Sequence, residues 1–296
     1  MKLSIVVVCF DMHRELPRTL HSLSSTYQID ARSLDYEVVV VDNGSTRPPD
    51  RAMVESFGPQ FRLLRINPAP GSPARAINAG VDASSGELVC VMIDGAHILT
   101  PGVFGLALAA FRAFPDAVVA TRYFYLGPGP QNETVLAGYD QTAEDALLER
   151  VDWRMDGYRL FEIGTPLQFP APKITWFNKM LESNCLFMRR SVFVAMGGAD
   201  ERFDLPGGGF LNLDLYCEAL AVEGTVPVLL VGEGSFHQVH GGTTTNVDTA
   251  ARDSKVAIYR AQYETIRGKP LSVSEKDVFY LGHMPTQHSK IHLRNR

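Results

Sequence analysis

Three short runs rich in valine and isoleucine constrain the fold most strongly, at residues 3–10, 37–41 and 87–93. They are nearly continuous in apolar residues, which is typical of parallel strands buried on both faces. Segments with helical periodicity, such as residues 14–27, separate these runs. Strands that alternate with helices predict βαβ units, and therefore an α/β fold with a mostly parallel sheet.

The regular alternation of strands and helices extends to about residue 125 and then breaks down. Further strands are predicted at residues 61–66, 117–125, 184–188 and 227–231, and further helices at residues 50–57, 73–82, 100–114, 142–154, 191–196 and 211–222. Ser72 and Thr100 each precede a proline, and both are predicted to be helix N-caps. Residues 164–173 are rich in proline and are predicted to be irregular.

Composition excludes some classes of partner and compartment. The formal net charge of −5 and the pI of about 5.9 argue against a nucleic-acid partner, which usually needs a basic face. The four cysteines lie far apart without a CxxC pair, which fits a reducing compartment better than a disulfide framework. The apolar start is too short for a signal peptide, and no run approaches the length of a membrane helix. We therefore expect a soluble, cytoplasmic protein, while peripheral membrane association and a homodimer stay open.

Polar residues follow two of the predicted strands. Asp42 ends the second strand in a turn of Asn, Gly and Ser, where it either accepts hydrogen bonds from a base or ribose or only caps the turn. Asp94 and His97 follow the fourth strand, at the edge where open α/β sheets bind their ligands. A carboxylate and an imidazole are ligands for Mn²⁺ or Mg²⁺, although an Asp-Gly pair after a strand is usually only a turn.

Two further segments carry candidate binding residues. Arg75 lies on the first turn of a predicted helix behind a loop of proline and glycine, where a helix N-terminus and a guanidinium both attract phosphate. The alternative is a surface arginine that pairs with a nearby carboxylate. His237 and His240 follow a separate strand, next to two glycines, and are further candidate metal ligands. A single histidine is more often structural than a ligand, and two on one loop next to two glycines shift this balance somewhat toward a ligand role.

Together these segments resemble one enzyme family. The matching stretches are residues 4–10, residues 37–46, the motif Asn67-x-x-x-Gly71-x-x-Ala74-Arg75-x-x-Asn78-x-Gly80, and the strand at 89–94. In this order, over residues 2–98, they are similar to family 2 glycosyltransferases of the GT-A fold. The similarity resumes at residues 183–218, where residues 185–190 and 197–203 look like the family's acceptor-side segment.

The resemblance implies a GT-A type fold, in which helices flank a Rossmann-like, mostly parallel sheet and a mixed C-terminal part faces the acceptor. It divides the chain into a nucleotide-sugar-binding subdomain at residues 1–125 and an acceptor-side, catalytic subdomain of the same domain at 126–268. Residues 269–296 would be a C-terminal tail.

The resemblance also implies roles for individual residues. Cys9, Phe10 and Asp11 would line the pocket for the nucleotide base. Asp42, with Asn43 beside it, would contact the base or the ribose. Arg75 would bind the diphosphate, and Asp94 would be the first Asp of a DxD motif. His237 or His240 would be a further metal ligand from a late part of the sequence.

Two positions depart from the family pattern. The third DxD position, usually a direct metal ligand, is Ala96, and His97 one residue later is the candidate substitute. The family usually has Glu-Asp-x-Asp after a glycine loop, with the Asp of the Glu-Asp pair as general base. Here that stretch is Leu211-Asn212-Leu213-Asp214, and Asn212 cannot accept a proton at neutral pH. Asp214 and Asp204, which precedes the glycines, are therefore the two candidate bases.

The implied function is a metal-dependent, inverting glycosyltransferase with Mn²⁺ or Mg²⁺ as cofactor. Its donor would be a UDP-, GDP- or dTDP-sugar, and its acceptor a saccharide, a lipid-linked molecule or another hydroxyl compound. The alternative is a non-catalytic nucleotide-sugar-binding homologue that has lost the base, as Ala96 and Asn212 suggest. A nucleotidyltransferase is less favoured, because no glycine-rich loop with a basic residue follows the first strand.

Acceptor contacts are less well defined by the sequence. Five aromatic residues fall in the irregular middle of the chain: Trp153, Tyr158, Phe161, Trp176 and Phe177. Such residues stack on sugar faces in some proteins, but core packing is their more common use. Glu182, Ser183 and Asn184 occupy a place where acceptor-binding residues are expected.

Overall fold

A mixed ten-stranded sheet forms the centre of the computed structural model, which describes residues 1–167, 176–181, 184–242 and 249–283. Its strands are β1 (Leu3–Cys9), β2 (Tyr36–Asp42), β3 (Phe61–Arg65), β4 (Leu88–Met92), β5 (His97–Leu99), β6 (Ala117–Leu126), β7 (Gly164–Pro166), β8 (Leu186–Arg189), β9 (Val226–His237) and β10 (Phe279–Gly282). The order along the sheet is β10-β9-β6-β8-β4-β1-β2-β3, with β5 paired to β9 and β7 to β6. The first four strands run parallel, whereas β8 lies antiparallel between β4 and β6. The predicted α/β fold with a mostly parallel sheet is confirmed.

Helices cover both faces of this sheet. Among the described residues they are α1 (Leu16–Ser22), α2 (Arg51–Glu55), α3 (Ala74–Ala83), α4 (Val103–Ala113), α5 (Gln131–Thr134), α6 (Gln141–Val151), α7 (Arg190–Ala195), α8 (Leu211–Ala221) and α9 (Thr249–Arg267). Ile5 and Val7 of β1 face the layer that contains α1, α2 and α4. Val6 and Val8 face the layer that contains α3, α7, α8 and α9. The alternation explains the continuous apolar runs, because both faces of each central strand are buried.

The middle segment of the chain forms a third, aromatic core cluster. Trp153, Tyr158 and Phe161 are buried and pack with Phe236 of β9. Core packing is therefore the role of these three predicted acceptor candidates. Phe177, in contrast, is exposed.

Several predicted elements differ from the observed ones. β5 and α9 were not predicted, because β5 is three residues long and α9 follows a polar stretch. Strand β9 is 12 residues long rather than five, so that His237 ends a strand instead of lying in a loop. Thr100 does not cap α4, which begins three residues later; its hydroxyl donates to the buried carboxylate of Glu233 instead. Helix α3 begins at Ala74 with Pro73 as its N-cap, so the predicted cap residue Ser72 lies one residue earlier, although its hydroxyl accepts the N–H of Ala74 at 3.3 Å.

Some predicted features lie outside the described residues. These are residues 168–173 of the irregular segment, Glu182 and Ser183 of the acceptor candidates, and the tail from residue 284 onward. Among the helices that are described, none has the length and apolar character needed to cross a bilayer.

The carboxyl ends of β1, β2 and β4 meet at one edge of the sheet. Cys9 at the end of β1 is in register with Asp42 at the end of β2. Gly95, after β4, packs so closely against β1 that a Cβ there would lie 2.9 Å from the carbonyl oxygen of Val8. The loops after these three strands therefore form one continuous surface.

Candidate active site

Asp94, His237 and His240 converge at this edge of the sheet. The Oδ2 atom of Asp94 lies 3.1 Å from Nε2 of His240 and 3.4 Å from Nε2 of His237. The two Nε2 atoms are 3.0 Å apart. Asp94 comes from the loop after β4, whereas the histidines come from the end of β9 and the turn that follows it. Three of the four predicted metal ligands thus form one cluster, although 143 residues separate Asp94 from His237 in the chain.

Hydrogen bonds fix the orientation of this cluster. Asp94 Oδ1 accepts the N–H of Ala96 at 2.8 Å, and the carbonyl of Ala96 accepts the N–H of Gln238 at 2.8 Å. Gln131 of α5 donates to the carbonyl of His237 at 3.1 Å and places its Oε1 atom 2.7 Å from Nδ1 of the same histidine. Because an amide oxygen only accepts, Nδ1 of His237 carries the proton and its Nε2 lone pair faces the cluster.

The geometry of the cluster fits a divalent metal ion. Its three donor atoms all lie within 4.8 Å of one another. Ligands at right angles, about 2.1 Å from an octahedral ion, are separated by about 3 Å, close to the observed distances of 3.0, 3.1 and 3.4 Å. Gln131 orients the imidazole of His237 through its Nδ1 atom, as the hydrogen-bond partners of metal-binding histidines do. Two imidazoles with one carboxylate are a softer donor set than Mg²⁺ prefers, which favours Mn²⁺ of the two predicted ions.

The electrostatics of the cluster agree with this assignment. Burial acts to raise the pKa of Asp94, but His240 and His237 outweigh it and hold that pKa well below its usual range. Burial lowers the pKa of His237 despite the nearby Asp94, so this imidazole is neutral at pH 7. Burial also acts to lower the pKa of His240, but Asp94 raises it overall. Asp94 and His237 therefore have the protonation states that metal binding requires, whereas the raised pKa of His240 favours a proton that this imidazole must release to bind an ion.

His97, the fourth predicted ligand, lies behind the cluster rather than in it. The β5–β9 pairing sets His97 opposite His237, and their ring centroids are 5.0 Å apart. Nδ1 of His97 lies 2.8 Å from Oγ of Ser235, and its buried Nε2 has no hydrogen-bond partner among the described residues. Burial, followed by the neighbouring His237, keeps the pKa of His97 well below its usual value. The structure therefore does not place His97 where it could replace the carboxylate that is missing at position 96.

The predicted base-pocket residues are Cys9 at the end of β1 and Phe10 and Asp11 in the loop that follows it. Burial raises the pKa of the Cys9 thiol, and the nearby charges of Asp42 and Asp94 raise it further. Phe10 is exposed on 53% of its surface and can offer its ring to a flat ligand. Asp11 has a left-handed backbone (φ 52°) and donates its N–H to Oγ of Ser45 at 2.8 Å. The loops after β1 and β2 are therefore joined.

Asp42 and Asn43 tie the loop after β2 to its neighbours. Asp42 is buried; its Oδ1 accepts the N–H of Ser45 at 3.0 Å, and its Oδ2 lies 3.3 Å from Nε of Arg65. The predicted turn contact of Asp42 is thus present. The side-chain N–H groups of Asn43 donate to two carbonyl groups in the loop before α3, at 3.1 and 3.2 Å. The buried Oδ1 of Asn43 has no partner in the described part of the chain.

Arg75 is exposed on the first turn of α3. It forms no ion pair within the described ranges, so the alternative of a neighbouring carboxylate is not realised there. A helix N-terminus and an unpaired guanidinium both attract anions. The geometry therefore keeps Arg75 available for the diphosphate contact that the resemblance implies.

Two contacts join the α3 motif to the acceptor-side segment. Asn78 donates to the carbonyl of Ala199 at 2.9 Å and accepts its N–H at 2.8 Å. The N–H of Gly207 donates to the carbonyl of Gly71 at 3.0 Å. The glycine loop at 206–209 therefore lies directly against the loop that leads into α3 and Arg75.

The two candidate bases have different surroundings. Asp214 of α8 is 1% exposed, and Arg267 of α9 donates to both of its carboxylate oxygens at 2.6 Å. Such a buried, bidentate pair keeps Asp214 away from any acceptor hydroxyl. Asp204 is exposed just before the glycine loop, where its Oδ1 accepts a hydrogen bond from Gln262 at 2.9 Å. Of the two, only Asp204 presents a carboxylate to solvent.

Sequence reasoning missed two polar residues that support the cluster, Gln131 and Glu144. Glu144 is fully buried, and its Oε2 accepts the N–H of Val239 at 2.7 Å. Each lies among other polar residues of its helix, outside any motif. Their roles depend on contacts across the fold, and no local pattern in the sequence signals them.

The chain is similar to one known protein family and to a curated bacterial protein. A family model described as glycosyl transferase family 2 matches residues 4–185. The O-antigen biosynthesis protein RfbC of Myxococcus xanthus is 26% identical over 235 residues. This alignment covers 78% of the present chain but only 17% of the length of RfbC.

Solved structures show the same fold. S. aureus TarS gives a TM-score of 0.51 at 15% identity, covering 90% of this chain and 44% of TarS. The 1–349 fragment of TarS in complex with UDP-GlcNAc gives a TM-score of 0.51 at 14% identity, covering 90% of this chain and 73% of the fragment. The family model covers more than half of the chain. The chain therefore belongs to glycosyl transferase family 2.

Proposed function

We propose that this chain is a glycosyltransferase that moves a sugar from a nucleoside diphosphate sugar to an acceptor hydroxyl, with inversion at the anomeric carbon and with Mn²⁺ as cofactor. One observation carries the proposal: Asp94, His237 and His240 converge at the strand ends where the predicted nucleotide-binding loops meet. Family membership adds support, as does the exposed Arg75, which forms no ion pair with the residues that the structure describes.

The donor and acceptor classes are proposed from the proteins to which the chain is similar. TarS holds UDP-GlcNAc in its complex, so a UDP-sugar is the first donor to test, ahead of GDP- and dTDP-sugars. RfbC is described by its role in O-antigen biosynthesis, so we propose a glycan acceptor, free or lipid-linked.

In the proposed reaction, Phe10 and Asp42 hold the nucleoside, and Arg75 with the N-terminus of α3 holds the diphosphate. When bound at Asp94, His237 and His240, a metal ion supplies positive charge that stabilises the leaving diphosphate. Asp204 accepts the proton of the acceptor hydroxyl, which attacks the anomeric carbon from the side opposite the diphosphate. Attack from that side inverts the configuration.

The second candidate function is nucleotide-sugar binding without turnover. Asn212 stands at the position of the usual base. The carboxylate of nearby Asp214 accepts two hydrogen bonds from Arg267. A protein that binds a donor tightly but releases no nucleoside diphosphate would match this alternative.

The test is the release of nucleoside diphosphate from UDP-GlcNAc, and from GDP- and dTDP-sugars, with and without Mn²⁺. Asp94→Ala should remove the Mn²⁺-dependent part of the rate. Asp204→Asn should lower the rate by about 10²–10⁴-fold if Asp204 is the base. Asp35→Asn is the matched control, because Asp35 is exposed before β2, at the opposite end of that strand from the site. Unchanged turnover in Asp204→Asn would refute its role as base.

A further inference from the structure

Val239 lies between the two clustered histidines, and side chains form hydrogen bonds with both its N–H and its carbonyl group. The N–H of Val239 donates to Oε2 of Glu144 at 2.7 Å. The carbonyl of Val239 accepts a hydrogen bond from Nη1 of Arg14 at 3.2 Å. Glu144 and Arg14 also contact each other, with Nη2 of Arg14 3.0 Å from Oε1 of Glu144. One ion pair thus brackets the backbone of a single residue.

Each member of this pair is itself fixed. Glu144 lies on α6 and is fully buried, so its carboxylate cannot move to solvent. The Arg14 guanidinium donates to Oε1 of Glu15 at 2.9 Å and to the carbonyl of Gln141 at 2.9 Å. Arg14 also donates to Asp145, the exposed neighbour of Glu144, at 2.6 Å. The bracket therefore connects the loop after β1, helix α6 and the turn after β9.

Neighbouring contacts restrain the same turn without reaching the histidine side chains. The side chain of Gln238 donates to the carbonyl of Glu15 at 3.2 Å. Gln141 donates to the carbonyl of Val239 at 3.3 Å. The turn from His237 to His240 has no regular secondary structure after β9 ends, so these contacts determine where its backbone lies.

We propose that Arg14 and Glu144 are positioning residues that fix the Val239 peptide and thereby set the His237 and His240 imidazoles against Asp94. This inference rests on the proposed function, because it assigns the pair to the metal-binding side of that site. Metal–ligand distances tolerate deviations of only about 0.2 Å, so a turn that shifts by even a fraction of an ångström loses affinity for the ion.

The Arg14–Glu144 pair contributes more to the geometry of the turn than to the net free energy of folding. A buried carboxylate loses its hydration, and ion pairs in such places often return little net free energy of folding. Their value is specific geometry, because both partners must keep their hydrogen bonds to remain satisfied. Burial raises the pKa of Glu144 to about 7 even though Val239 and Arg14 act to lower it.

The test compares Glu144→Ala, Glu144→Gln and the control Glu149→Ala. Glu149 is an exposed carboxylate on the same helix α6, and its side chain contacts neither Arg14 nor Val239 among the described residues. Two readouts are needed: Mn²⁺ affinity by calorimetry, and hydrogen exchange of the Val239 amide in the absence of metal. Melting temperature is recorded as a measure of general stability.

We expect Glu144→Ala to weaken Mn²⁺ binding by about 10- to 100-fold and to speed exchange of the Val239 amide. Glu144→Gln keeps an oxygen that accepts this N–H and should restore most of both properties. Glu149→Ala should stay within about twofold of the unsubstituted protein in Mn²⁺ affinity, because it removes a charge from α6 without removing a contact to Arg14 or Val239.

Equal exchange and equal Mn²⁺ affinity in Glu144→Ala and Glu149→Ala would overturn the proposal. If Glu144→Ala does not fold, Arg14→Met decides through Mn²⁺ affinity, because it removes the Arg14 hydrogen bond to the carbonyl of Val239 and leaves the N–H with Glu144: unchanged affinity in Arg14→Met would contradict the proposal. An unsubstituted protein that binds no Mn²⁺ would refute the metal in the proposed function, whereas the exchange measurement would still decide whether the pair holds the turn.

Discussion

Glu233 is a fully buried carboxylate in β9 whose replacement should change how stability depends on pH. Its Oε1 accepts the hydroxyl of Tyr158 at 2.8 Å, and its Oε2 accepts the Thr100 hydroxyl and the N–H of Gly102. No Lys, Arg or His ion pair reaches Glu233 among the described residues. Burial outweighs these hydrogen bonds and raises the pKa of Glu233 from 4.5 to about 7.

The size and sign of the effect follow from this pKa. The folded protein holds the proton more tightly than the unfolded chain, so the stability from the protonated carboxyl is complete below pH 4.5 and is lost as pH rises toward 7. At about 1.4 kcal/mol for each pKa unit, the loss between pH 5 and pH 8 is about 2–3 kcal/mol. Glu233→Gln removes the ionisable group and with it this part of the pH dependence.

The assay is urea unfolding of the unsubstituted protein and Glu233→Gln at several pH values from 5 to 8. We expect the free energy of unfolding of the variant, relative to that of the unsubstituted protein, to rise by about 2–3 kcal/mol over this range. The absolute stability of Glu233→Gln at one pH is not the criterion, since the amide also changes hydrogen bonding. Parallel pH profiles for the two proteins would refute the reasoning.

Three further substitutions test other parts of the structure. Arg75→Met should weaken UDP binding by about 10- to 100-fold but leave uridine binding unchanged, as calorimetry with both ligands would show, because only UDP carries the diphosphate. Arg267→Met should lower the free energy of unfolding in urea by about 3–5 kcal/mol, because it leaves the buried carboxylate of Asp214 uncompensated. Gly80→Ala should lower it by about 1–3 kcal/mol in the same assay, since a Cβ there would overlap Val6 and lie 2.9 Å from Cγ2 of Val41.

The central strands could be predicted from the sequence because burial on both faces requires a continuous run of apolar residues. β1, β2 and β4 all appear as unbroken apolar runs, and the structure places them side by side at the centre of the sheet. β5 has no such run, and its three residues are ordered by pairing with β9. Contacts between distant segments decide elements of that kind, and the sequence of the element itself does not contain them.

The candidate site was predictable where motifs fix positions along the chain. Asp94, His237 and His240 were predicted to be candidate metal ligands, and the structure brings their side chains together. His97 was not separable from them in the sequence, because its displacement depends on the register of β5 with β9. Asp214 likewise required the position of α9, which carries Arg267 and was not predicted.

The most direct test of the central claim is calorimetric binding of UDP, GDP and dTDP to the unsubstituted protein and to Asp94→Ala, each with and without Mn²⁺. A site built on Asp94, His237 and His240 beside the nucleotide-binding loops predicts tight binding of one nucleotide that depends on Mn²⁺ and is weakened by Asp94→Ala. The absence of binding for all three nucleotides, with and without Mn²⁺, would contradict a donor site at this edge of the sheet.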